Sequence, residues 1–306
     1  MKKLTIFLGL SCFIMTGYAQ ERKLELSSER KSDKSVEISY KKTDPGYYTV
    51  VLNFSELTNT SGIKEVYSIN GTGGPLVTFK PTDPNQHINY RYSYQSIRGK
   101  LKPKMDLNFC YILPYATGTA CEVVEAGLAS ERYFGAERPA DWKSYLMYTE
   151  KEEMVTAIRK GIVVDITDQY EEEKNVEFTT RLNSVIVEHE DGTLVRYLGF
   201  KKGSLKVKIG DPVFPNSLLG LNTRRSTKKF CISIFMYYLN SVDFESLREQ
   251  TLSKQKSLYS IITPKFTVES NSCTLLENRK TYTAYSSKEI VTKEMSKREL
   301  KKYAAQ

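Results

Sequence analysis

The sequence predicts a mostly β protein: a β-sandwich-like N-terminal domain, a second antiparallel β domain and a short α/β C-terminal extension. Three observations carry that prediction. Tyr (21) and Phe (13) far outnumber Trp (1), and the Tyr, Val, Ile and Thr content leans toward strands. Stretches that alternate apolar and polar residues recur along the chain, punctuated by Gly, Pro and Asp-Gly or Asn-Gly pairs. Helical signals are few, a turn at Asp243 to Arg248 and the lysine-rich end. With 306 residues, 40% of them apolar and 26% charged, the chain can bury one or two ordinary cores. Only 17 Gly and 10 Pro, and one long apolar run at the N-terminus, exclude collagenous, disordered and polytopic membrane classes.

Residues 1–19 read as a signal peptide. Lys2 and Lys3 form a charged start, Leu4 to Met15 an apolar core too short to span a bilayer, and Gly17-Tyr18-Ala19 a small-residue exit. A lipoprotein reading at Cys12 is disfavoured, because Gly9-Leu10-Ser11 is a poor lipobox. The expected address is therefore the periplasm, the cell surface or the exterior, with no transmembrane anchor after cleavage. Losing Lys2 and Lys3 leaves a charge of about +7, which favours anionic surfaces. Nucleic acid is not expected, since no arginine-rich run interleaved with aromatics occurs.

Residues 20–118 form the expected sandwich. Gln20 to Ser35 is charged and turn-rich and reads as a tail. Tyr47 to Phe54, Leu76 to Phe79 and His87 to Tyr94 alternate as half-buried strands. The glycines of the intervening NGTGGP lack the following helix and Lys-Ser/Thr pair of a phosphate loop, so they read as turns. Pro114 to Ala120 is a junction to the second domain, residues 119–240. There Gly161 to Ile166 is a buried strand, and Asn183 to His189 and Thr193 to Leu198 flank Asp191-Gly192 as a hairpin. Leu205 to Asp211 alternates, and Phe230 to Tyr237 is a long apolar strand. In the extension, residues 241–306, Ile262 to Val268 and Lys280 to Tyr285 are strand-like, and Ser287 to Tyr303 is helical. Cys110 and Cys121 are read either as a disulfide or as two small buried apolar residues; Cys231 and Cys273 complete the mature set, and no C-x-x-C occurs.

The succession KGIVVDI, SVIVEHEDGTLVRYLGFKKGSLKVKIGDPVFPNSLLG and FCISIFMYYL, from near Trp142 to Tyr238, resembles the lysostaphin and LytM type of zinc endopeptidase, family twenty-three of the metallopeptidases (duplicated hybrid motif). That family shows, in this order, a Gly-Val-Val strand, an acid-His-x-x-Gly hairpin, a Tyr-x-His-Leu strand, a Lys-x-Gly-Asp-x-Val turn and a His-x-His-Phe-Glu strand. The resemblance implies a LytM-like antiparallel β domain and a zinc held by an upstream His, an Asp and the second His of His-x-His. The two remaining histidines would handle the proton of the attacking water.

Those residues are missing here. The Tyr-x-His-Leu position reads Tyr197-Leu198-Gly199-Phe200, so Gly199 stands in place of a histidine, and His-x-His reads Cys231-Ile232-Ser233. Neither His nor Asp follows Asp141 in WKSYLMY. The two histidines of the chain are His87, in the sandwich, and His189, at the hairpin position that the family does not use for metal. Cys231, Asp141 and the acidic run Glu171-Glu172-Glu173 make no recognisable alternative ligand set. The resemblance therefore implies a pseudoenzyme: no catalytic residue, no zinc or other cofactor, and a groove with Trp142, Tyr197, Gly199, Cys231 and Ser233 as candidate lining. Its expected role is an exported, non-catalytic protein of the cell envelope that binds peptidoglycan or regulates a cell-wall hydrolase. Two rivals stand beside it: an active peptidoglycan endopeptidase with an unusual ligand set, and a structural or adhesive envelope protein. Fold alone does not decide among them.

Overall fold

The computed structural model describes residues 23–127, 140–172, 181–225, 229–245, 257–269 and 272–304. The signal-peptide residues 1–19 lie outside them. The described chain is mostly β, its strands almost all antiparallel, with two short helices near its C-terminal end.

Six strands make the first unit: β1 (Leu24–Arg30), β2 (Val36–Lys42), β3 (Tyr48–Thr58), β4 (Val66–Ile69), β5 (Gly73–Phe79) and β6 (Asn89–Arg98). They form two three-stranded sheets, ordered β1-β2-β5 and β4-β3-β6. Between them lie Val36, Ile38, Val50, Leu52, Phe79 and Ile88, so this unit is a sandwich with its own core. The expected tail is corrected: β1 pairs along its full length with β2. As an edge strand it buries only Leu24 outright, which is why its composition resembles a solvated segment.

The second unit runs through β7 (Cys110–Ile112), β8 (Ala120–Glu125), β9 (Tyr145–Thr149), β10 (Met154–Thr156), β11 (Gly161–Thr167), β12 (Asn183–Glu188), β13 (Leu194–Phe200), β14 (Pro212–Val213), β15 (Leu218–Leu221), β16 (Thr223–Arg224) and β17 (Phe230–Leu239). It continues with β18 (Tyr259–Ile262), β19 (Lys265–Val268), β20 (Ser272–Leu275), β21 (Lys280–Thr283), α1 (Lys288–Thr292) and α2 (Lys297–Tyr303). The main sheet has the order β14-β11-β12-β13-β17-β9-β8-β21, with β16 and β18 also on β17. Its core face is built from every second residue: Val195 opposes Met236, Tyr197 opposes Ile234, and Ile232 opposes Met147. Tyr111 to Leu113 and Phe266, Tyr282 and Ala284 join the same cluster, so segments on both sides of the expected second domain complete its core. The alternating run Leu205 to Asp211 belongs to no strand and ends in a turn at Ile209 and Gly210; the Lys206 N–H donates one bond to Leu219 O, 2.9 Å.

Of the two readings of Cys110 and Cys121, the disulfide between them is corrected: Cys110 pairs with Cys273, with Cα atoms 5.9 Å apart. β7 lies parallel beside β19, and β20, which carries Cys273, is the other neighbour of β19. Cys121 is a free, buried thiol on β8 whose pKa burial pushes up to about 12.

Arg159 ties the C-terminal helices down. Its guanidinium donates to both oxygens of Glu294, between α1 and α2, at 2.7–3.1 Å, and to Asp191 Oδ2 at 2.7 Å. It also lies 4.0 Å from the centre of the Phe109 ring. Beside it Lys160 Nζ bonds Glu294 O and Glu299 Oε2, both at 2.9 Å.

Candidate sheet-face site

On the central strands, the residues that alternate with the core positions define a second face. There Cys231 opposes Tyr148, Ser233 opposes both Leu146 and Leu198, Phe235 opposes Arg196, and Tyr237 opposes Leu194. This parity sorts the expected groove residues. Tyr197 belongs to the core face, fully buried, where its hydroxyl accepts the Ile158 N–H at 3.0 Å. Cys231 and Ser233 lie on the second face yet are 1% and 5% exposed. Gly199 is buried as well. Tyr197, Gly199, Cys231 and Ser233 are thus corrected from groove lining to packed positions, because both faces of these strands are covered at that point. Trp142 is half-buried and reachable; its Nε1 donates to Ala126 O at 2.9 Å.

The positions at which the resemblance calls for histidines do not fit a metal. Burial pushes the Cys231 thiol up to about 12, so it is not a ready thiolate. Ser233 Oγ lies 3.5 Å from Ser144 Oγ, a pair of neutral hydroxyls. Gly199 has φ +106°, and a Cβ there would come within 3.0 Å of Cys231 O. A side chain of any kind is strained at that position. The carboxylates considered from the sequence are engaged elsewhere: Asp141 accepts the Ile261 N–H at 2.7 Å, Glu172 the Thr223 hydroxyl at 3.0 Å, and Glu171 pairs with Lys202. Glu173 lies outside the described residues. Among the described residues, no group of three or more His, Cys, Asp or Glu is placed to hold a metal ion.

What the face does present is a row of aromatic rings. Trp142 stacks on Phe235 (6.5 Å between centroids), Phe235 lies 5.4 Å from Tyr237, and Tyr237 meets Tyr259 edge-on at 5.1 Å. All four are half-buried. Phe235, Tyr237 and Tyr259 were not singled out from the sequence. The signal for the first two was present, since they share the parity of Cys231 and Ser233 in FCISIFMYYL.

At one end of this face the sandwich docks. Glu188, 3% exposed, accepts the Tyr47 N–H on both oxygens (2.9 and 3.0 Å), and Tyr259 donates to Arg98 O at 2.8 Å. Lys42, Asp44 and Arg98 complete a buried charged group; Arg98 pairs with Asp44, and Lys42 Nζ donates to Asp44 O at 2.8 Å. Burial pushes the Glu188 carboxyl up to about 7, against the Tyr47 amide, Arg98 and Lys42, which favour its ionised form. The next residue points to the other side. His189 is 1% exposed, with Nδ1 2.8 Å from Lys160 O; a carbonyl only accepts, so Nδ1 carries the proton and the buried Nε2 has no partner. Burial and the neighbouring Arg159 hold this imidazole well below its ordinary value of 6.5.

These two neighbours make opposite contributions with pH. Glu188 binds its proton more tightly when folded, so its stabilisation is full below about 4.5 and is lost as pH rises toward 7. His189 binds its proton less tightly when folded, so its share is present above 6.5 and is lost on acidification. Urea unfolding of Glu188→Gln, which keeps an acceptor for Tyr47, should therefore show stability relative to wild type falling by about 3 kcal/mol from pH 8 to pH 5. His189→Asn should gain relative to wild type over the acidic range. A stability difference for Glu188→Gln that is flat with pH would refute the assignment.

No family profile matches the chain, and no curated protein matches it. Among solved structures, the chain is similar to one titled "A Novel M23 Metalloprotease Pseudoalterin from Deep-sea", at 15% identity and TM-score 0.33, over 58% of this chain and 96% of that one. It is also similar to a putative peptidase M23 from Pseudomonas aeruginosa, at 13% identity and TM-score 0.24, over 61% of this chain and 82% of that one. Scores of this size equate no residue of this chain with a residue of those proteins.

Proposed function

We propose that this chain is an exported pseudoenzyme: a non-catalytic protein of the cell envelope that binds peptidoglycan, or a cell-wall hydrolase, on the aromatic face of its main sheet. One observation carries the reading. At the place where the sequence resemblance calls for a histidine, Gly199 combines φ +106° with a Cβ approach of 3.0 Å to Cys231 O. The backbone at that point has no room for an imidazole, and the companion positions hold a neutral thiol and a hydroxyl. Half-buried rings suit recognition, because such rings contribute area without a large entropic cost on ordering. The chemistry that remains is binding and orientation rather than bond cleavage.

The test combines metal content with wall binding, both on the full mature chain. Elemental mass spectrometry after dialysis against a weak chelator should find far less than about one zinc per chain. The same zinc-free protein should sediment with purified sacculi, and Trp142→Ala and Phe235→Ala should each weaken sedimentation by about tenfold. Near-stoichiometric zinc, or release of wall peptides, would replace this reading with an active endopeptidase. Sedimentation unaffected by either variant would move the contact away from this face, toward the sandwich.

A further inference from the structure

We propose that the C-terminal helical pair is a peripheral docking surface for an anionic lipid bilayer. Residues 288–303 carry six basic side chains. Lys288, Lys293, Lys297, Arg298, Lys301 and Lys302 are all exposed, and none has an ion pair among the described residues. The same stretch holds three carboxylates, Glu289, Glu294 and Glu299. Two of them face the body of the protein, Glu294 on Arg159 and Glu299 on Lys160. The outward side of the pair is therefore basic, although the composition of the segment is mixed.

Apolar groups sit inside this basic field. Leu300 and Tyr303, three residues apart and hence neighbours on one helical face, are 39% and 37% exposed. The turn closed by Phe109 N–H on Asp106 O adds Leu107, 67% exposed and two residues from the Phe109 ring that lies 4.8 Å from Lys293 Nζ. Helix α2 itself buries no side chain; it is held by a Ser296/Glu299 capping box and by Lys160. A helix of seven residues has little stability of its own in water. Here it is fixed from below while its Leu and Tyr side chains are left in solvent.

Basic groups ringing exposed Leu and Tyr match the two layers of an anionic bilayer surface: the cations meet the phosphates, and the leucine and tyrosine reach the headgroup and acyl boundary. A soluble polyanion offers the first contact and not the second. No helix among the described residues is long and apolar enough to cross a membrane, so the contact is a peripheral one.

The experiment is co-sedimentation of the full mature chain with vesicles of phosphatidylcholine, alone or with roughly one-third phosphatidylglycerol. Binding is expected to the mixed vesicles, to fall steeply with salt, and to be weak to phosphatidylcholine alone. The quadruple reversal K297E/R298E/K301E/K302E should weaken it at least about a hundredfold. Leu300→Ser with Tyr303→Ser should weaken it about tenfold while the salt dependence persists. The melting temperature serves as control for both variants, since none of these side chains is buried. Equal binding to both vesicle types, no binding, or a reversal variant that binds like wild type would overturn the proposal. So would full competition by soluble polyphosphate with no effect of the Leu300/Tyr303 variant, which would assign the surface to polyanions in general.

Discussion

Arg159→Met is expected to destabilise the protein by about 3–5 kcal/mol, the range for breaking a buried ion pair by removing one partner. The arginine side chain is 6% exposed, and its carboxylate partners, Asp191 and Glu294, are 14% and 22% exposed. Removing the guanidinium leaves two carboxylates in a poorly solvated place, with Lys160 engaged on Glu299 and the Glu294 carbonyl. It also removes the guanidinium from the Phe109 ring. The damage should be local in its first effect: amide exchange of residues 288–303 should accelerate before that of β12, β13 and β17. Arg159→Lys keeps the charge but loses the planar fork that reaches Glu294 and Asp191 together, so it should fall between wild type and Met. Urea unfolding reads the first number, and hydrogen exchange reads the order. A loss under about 1 kcal/mol for Arg159→Met would mean that packing, not the charge cage, holds the helices.

Replacing Cys110 and Cys273 together by serine should cost about 5 kcal/mol, because the bond spans 163 residues and loop-closure entropy rises with the logarithm of that span. A bond between Cys110 and Cys121 would close a far shorter loop and stabilise by about 3 kcal/mol on the same scale. Peptide mapping of the unreduced chain should recover the Cys110–Cys273 peptide pair. Cys121 and Cys231 should resist alkylation until the chain unfolds, because burial holds both thiols near 12. Recovery of a Cys110–Cys121 peptide would contradict the Cys110–Cys273 pairing.

The strands that could be read in advance are those whose alternation coincides with a ladder partner. Tyr47 to Phe54, the two arms around Asp191-Gly192 and Phe230 to Tyr237 carry both periodicity and turn chemistry, and they stand as β3, β12 with β13, and β17. Leu205 to Asp211 shows the limit. Alternation there reports that Leu205 and Val207 turn toward the core, and it is silent on whether another strand lies alongside. β1 shows the converse, since pairing at a sheet edge needs almost no apolar residue. The site was legible as chemistry and misjudged as geometry. That no histidine stands at positions 199, 231 and 233 is plain from the sequence; that these positions are packed rather than open depends on which elements cover the sheet. The Tyr197 parity was readable, because it precedes the strand irregularity that accompanies Gly199, whereas the Trp142, Phe235, Tyr237 and Tyr259 row joins three segments that only the fold brings together.

The placement of the cysteines also sets an order of events. On the proposed export route, a chain that emerges N-terminus first would expose Cys121 and then Cys231 to oxidant before Cys273 follows, 163 residues after Cys110. Oxidation in order of appearance would join the wrong partners, and reaching the native bond from there demands thiol–disulfide exchange. The folded core supplies the proofreading. Once β8 and β17 are in place, Cys121 and Cys231 are enclosed and protonated, and neither competes for Cys110. Correct pairing is then a result of the sheet having closed, and a maturation defect in this protein should surface as a mispaired thiol before it surfaces as a lost strand.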